Sequence, residues 1–68
     1  MKMDINRFRG KIIEKGLNVE RLADEIGMDK ASLYRRINDF EKFTIGDLIK
    51  IKDVLGMDDR EAYEIFFG

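Results

Sequence analysis

The residues best suited to recognising another molecule lie in the nine-residue stretch Lys30–Asn38, KASLYRRIN. Wound as a helix at about 100° per residue, the stretch turns Leu33 and Ile37 one way and Arg35 almost the opposite way. Ala31, Ser32 and Asn38 flank Arg35 on that outer arc, with Lys30 at the N-terminal end and Tyr34 at one shoulder. A guanidinium held there has the donor fork to bind O6 and N7 of a guanine together, a pairing that discriminates by about 1–3 kcal/mol. Ala31 is small enough to lie against a thymine methyl, and Lys30, Ser32 and Tyr34 complete a set able to touch base edges. Arg36, Asn38 and Lys42 have the chemistry of phosphate contacts, as does the amide-rich start of a helix at Asn18. Each residue also has a plainer role open to it. A surface arginine is ordinarily just solvated, Asn18 and Thr44 can simply cap helices, and Tyr34 can pack against the fourth helix.

Other chemistries lack their residues. The chain has no cysteine and no histidine, which removes disulfides, thiolate or imidazole zinc sites and the usual proton-shuttling bases. It has no glycine-rich phosphate loop, and its carboxylates are scattered where capping and surface pairing account for them. No catalytic residue, metal, cofactor or small-molecule ligand is therefore expected. No apolar run approaches the ~20 residues of a membrane helix, and Met1–Asp4 lacks a leader's apolar core, so a cytoplasmic protein is expected. The net charge is −1, but its distribution is uneven. Residues 1–42 hold ten Lys/Arg against eight Asp/Glu, and residues 43–68 hold three against six, compatible with one anion-facing surface and one turned away.

Sixty-eight residues make one domain, and the apolar spacing is helical throughout. Ile5, Phe8, Ile12 and Ile13 predict the inner stripe of a first helix stopped by Gly16. Gly10, inside it, costs roughly 1 kcal/mol against alanine; close approach of another backbone is one of the reasons open for it, and the sequence does not choose among them. Asn18 caps a second helix bearing Val19, Leu22, Ala23 and Ile26, which Gly27 ends. Asp29 caps the third, Lys30 to about Asn38, and Phe40 and Phe43 pin the loop 39–43 to the core. Thr44 with Asp47 opens a fourth helix, its inner face Ile45, Leu48, Ile51 and Leu55, and Gly56 ends it. Asp58 with Glu61 repeats the capping pair for a last helix carrying Ala62, Ile65 and Phe66. The expectation is an all-α, compact five-helix bundle.

Within it, Val19–Asn38 meets the demands of a helix-turn-helix. Two short helices flank Gly27-Met28-Asp29, Ala23 is small at the crossing, and Met28 is apolar beneath the turn. With Ala23, Gly27 four residues on and Leu33 six beyond, the sequence resembles the phage repressor and Cro-like (XRE-type) helix-turn-helix family. The likeness continues through Thr44–Gly56 (TIGDLIKIKDVLG) and Met57–Phe66, nearly the whole chain. It departs at Arg36, where many members are apolar, and Ile37 follows. The resemblance implies a lambda-repressor-like bundle with its helix-turn-helix at helices 2–3. It also implies sequence-specific binding of double-stranded DNA by a phage- or prophage-type regulator, helix 30–38 lying in the major groove. Such motifs commonly pair across two half-sites, and a homodimer through the C-terminal end, Phe66 and Phe67, is expected, with Phe67 exposed in the monomer. The alternative is a protein-interaction module of the same fold, antirepressor or antitoxin-like, that does not bind DNA.

Overall fold

A computed structural model describes residues 3–68; Met1 and Lys2, part of the leader expectation above, lie outside it. Five α-helices follow in the expected order: α1 (Ile5–Glu14), α2 (Val19–Ile26), α3 (Lys30–Asn38), α4 (Ile45–Val54) and α5 (Asp59–Phe67). No strand occurs among the described residues. The chain is all-α.

Each helix begins on a side chain that satisfies a free amide of its first turn. Asp4, Asn18, Asp29, Thr44 and Asp58 accept from the backbone N–H three residues on. At Thr44 the box is complete, with Thr44 and Asp47 each donating a backbone N–H to the other's side chain at 3.0 Å. At Asp58 it is half complete. Glu61 donates its N–H at 2.8 Å, but its carboxylate turns to Lys11 Nζ, 3.1 Å away, and ties α5 to α1. The endings of α1, α2 and α4 share one geometry. Gly16, Gly27 and Gly56 take φ of 73°, 74° and 64°, left-handed backbone that only glycine adopts freely. The next residues, Leu17, Met28 and Met57, each donate a backbone N–H five positions back, to Ile12, Ala23 and Lys52. All three are apolar and pack into or against the core, so each stop also contributes a hydrophobic contact.

The core is continuous. Phe8, Leu22, Leu33, Ile51, Leu55 and Ile65 are its fully buried large side chains. Ala23, buried as expected, lies on α2, which packs against both α3 and α4. The loop 39–43 contains a single 3-10 turn, Phe40–Lys42. Phe40 and Phe43 are half-buried rather than enclosed, and the Phe40 ring stands 6.3 Å from Phe66 and 5.7 Å from Phe67.

Three expectations, for Ile13, Ile45 and Phe67, need correction. Ile13 is 73% exposed and Ile45 69%, because Phe8 and Ile12, or Leu48 and Ile51, already fill the inward direction of their helices. Phe67 is not left in water, since Phe40 and Tyr63 flank it and it is half-buried. Tyr34 is 47% exposed and borders a recess with Ile13 and Val19. Gly10 has no close neighbour, for a Cβ added there meets nothing within 4 Å.

Replacing Gly10 with Ala should therefore raise stability by about 0.5–1 kcal/mol, a Tm gain of roughly 2–8 °C on thermal unfolding. Leu33→Ala should cost ~2–5 kcal/mol, measured by urea titration.

Candidate nucleic-acid interface

The burial of Leu33 and Ile37 sets the rotation of α3, and the opposite arc emerges as the spacing predicts. Ala31, Tyr34, Arg35 and Asn38 are exposed there, while Ser32 and Arg36 are half-buried at the edge facing away from Tyr34. A polar chain runs along the front of the helix. Asp29 accepts from the Ser32 hydroxyl, and Ser32 Oγ accepts from Arg35 Nη2 at 3.1 Å. The Ser32 hydrogen bond also holds the Asp29 carboxyl below its ordinary pKa. Arg35 is thus steadied at its tip yet has no carboxylate within salt-bridge distance among the described residues. Its free donors face solvent.

The other expected residues divide. Lys42, at the end of the 3-10 turn, is exposed and likewise without a carboxylate partner among the described residues. Asn18 spends its side-chain oxygen on the N–H of Arg21, 2.7 Å away, leaving its amide donors outward. Asn38 lies beside Asp39 and Glu41 at the far end of α3. Lys30 is engaged: its ammonium sits 2.8 Å from Glu20 on α2. That hydrogen bond pulls Glu20 below its ordinary carboxylate pKa and lifts Lys30 above the usual lysine value.

Arg36 is also committed. Its Nη1 donates to the Ser32 carbonyl at 3.3 Å and approaches Met28 Sδ at 3.4 Å, while Nε lies 3.4 Å from Asp47. Nε is buried and makes no aligned hydrogen bond, so its attraction to Asp47 is ionic. The arginine that stands where the resembled family is often apolar bridges α3 to the cap of α4. The structure thus brings Ala31, Ser32, Tyr34 and Arg35 onto one front, with Lys30 tethered at its N-terminal end and Arg36 drawn behind.

Two features of this front escaped the sequence reading. One is Glu20, which no residue spacing links to Lys30 because the pair spans the turn. The other is Arg9, which joins Asn18 and Tyr34 around the recess beside α3 and has no carboxylate partner among the described residues. Its only sequence signal is helical phase, since Arg9 lies about 100° from buried Phe8. Compared with known proteins, the chain matches no family model, no curated protein and no solved structure.

The sign of the Glu20–Lys30 coupling is fixed. Glu20's depressed pKa keeps the pair charged to lower pH than an ordinary glutamate would, and the pair is lost as pH falls through that lowered value. At the other end, Lys30's raised pKa holds the pair until pH passes above the usual lysine value. Carboxyl NMR should show Glu20 titrating below 4.5 and returning toward it in Lys30→Ala.

Proposed function

We propose that this chain is a sequence-specific double-stranded DNA-binding transcriptional regulator of the phage or prophage repressor/Cro-like kind, working in the cytoplasm as a homodimer. The observation that carries the reading is Arg35, a guanidinium opposite fully buried Leu33, with no carboxylate partner among the described residues and beside small, exposed Ala31. With α3 in the major groove as a recognition helix, Arg35 takes a guanine edge and Ala31 a thymine methyl, and Ser32 and Tyr34 reach neighbouring positions. Lys42 and the donors of Asn18 fit phosphates on either side. Lys30 joins only by exchanging Glu20 for DNA, and Arg36 acts by holding α3 against α4. The family resemblance of the sequence points the same way.

A second reading, an interaction module that does not bind DNA, is favoured by one observation. The net charge is −1, and Arg7, Lys11, Arg21, Lys30, Arg36, Lys52 and Arg60 are all paired with the chain's own carboxylates. Selection from a random duplex library separates the two, since an interaction module enriches no sequence.

On the selected site, Arg35→Ala should cost about 1–3 kcal/mol and flatten preference at one base pair. Lys42→Ala should weaken all sequences about equally and reduce the slope of log affinity against log salt by ~1. Retention of full preference in Arg35→Ala would mean that α3 reads DNA by another face. Glu20→Gln releases Lys30 and removes a negative charge from the front, and should tighten binding severalfold at low salt. A mobility-shift titration at two salt concentrations measures all three variants.

A further inference from the structure

The cations of α1 divide by helical phase. Arg7 and Lys11, one turn apart, reach toward α5, where Glu64 stands 3.6 Å from Arg7 and Glu61 stands 3.1 Å from Lys11. Arg9 lies two residues from each, about 200° round the helix, and so points to the opposite flank. It is exposed there and has no carboxylate partner among the described residues. The carboxylates of α5 neutralise its two neighbours and leave this guanidinium free, on the side where the start of α2 and Tyr34 of α3 also reach the surface.

Arg9, Asn18 and Tyr34 border one open recess of about 290 Å³, with buried Ile12 among the residues that line it. Its polar groups are of one kind. Asn18 accepts the Arg21 N–H with its side-chain oxygen, so its amide turns two donors outward. Arg9 has donors alone, and the Tyr34 hydroxyl is able to donate as well. No carboxylate lines the recess among the described residues, whereas the groove between α4 and α5 has Asp59 and the hollow beside Phe40 has Asp39 and Glu41. A rim of donors with one uncompensated positive charge selects an anionic oxygen. Its position says which one. An α-helix with its side chains is about 10–12 Å across and the major groove about 12 Å wide, so a reading helix fills the groove and the phosphates of the groove's edges lie against its flanks. Tyr34 belongs both to the recess and to the exposed arc of α3, next to Arg35, so the recess opens on such a flank.

We propose that Arg9 is a DNA-backbone contact: its guanidinium, together with the amide of Asn18, binds one phosphate of the strand that borders α3 on the Tyr34 side. It supplies the phosphate contact expected of Arg36, which is held by Asp47 instead. The contact carries no base information; it fixes the register in which Arg35 meets its base pair. Arg9 stands on a helix outside the helix-turn-helix, so α1 contributes to affinity as well as to the core. This assignment rests on the DNA-binding reading and adds a third helix to the interface.

The test is a mobility-shift titration of the full chain on its selected duplex and on an unrelated one, at about 50 mM and about 200 mM salt. Arg9→Ala should weaken binding to both duplexes by the same factor, on the order of tenfold at the lower salt, and reduce the slope of log affinity against log salt by ~0.9. Base preference and thermal unfolding should not change. Asn18→Asp keeps an oxygen for the cap of α2 but sets a carboxylate at the recess, and should lose at least as much as Arg9→Ala. Methylphosphonate placed one linkage at a time along the selected duplex removes single charges. One such linkage should weaken the parent about tenfold and leave the affinity of Arg9→Ala where it was. A parent that selects a sequence while Arg9→Ala keeps its affinity and slope overturns the assignment and leaves the DNA reading standing. So does an Asn18→Asp protein that binds like the parent, or an Arg9→Ala protein still sensitive at every linkage to which the parent responds. A parent that binds all duplexes alike, with the Arg9 pattern intact, supports the assignment and defeats the sequence-specific reading alone. A parent that binds no duplex defeats both.

Discussion

The setting of α3 depends on the burial of one side chain, Leu33. A helix of nine residues has little stability of its own, and its rotation is decided by which residue the core accepts. Leu33 is enclosed completely and Ile37 follows one turn later. Any other rotation exposes Leu33 and drives Arg36 or Tyr34 into apolar surroundings, which costs far more than the helix gains elsewhere. The positive φ of Gly27 and the buried, small Ala23 bring α2 close enough to seal Leu33 in. The outward position of Arg35 and Ala31 is a by-product of that seal.

Arg36 shows how a departure from an apolar pattern is absorbed. Its aliphatic stem lies at the α3 edge, and its charged head is shared among the Ser32 carbonyl, Met28 sulfur and Asp47. Asp47 is already a member of the Thr44 capping box, so a single carboxylate both opens α4 and anchors α3. The same economy recurs at Glu61, which gives up the return half of its capping box to hold Lys11. Helix starts serve here as junctions between helices.

The helices and most of the core were legible because helical period, capping residues and glycine stops are local signals, and they agree with one another along the chain. The outer arc of α3 was legible for the same reason, since two buried residues fix the phase of all nine. What was not legible lies across space. Lys30's engagement with Glu20 and Arg36's with Asp47 depend on helices meeting after a turn, and no spacing records them. Phe67 was misjudged because its cover comes from Phe40, a residue in a loop whose 3-10 turn carries no strong sequence mark. Ile13 and Ile45 were misjudged because an apolar stripe wider than the neighbouring helices can cover leaves its margin outside.

The internal pairing of the cations has a consequence for how such a protein finds a target. A genome presents a vast excess of random sequence, and a regulator with many free lysines and arginines spends its time adsorbed there. Here the chain's own carboxylates occupy most of the basic groups described, so on the proposed reading the pull of any arbitrary duplex is faint. The molecule would travel mainly through solution rather than by sliding, sampling distant stretches in quick, short visits. On that reading, discrimination would come from lowering the background as much as from strengthening the correct contact.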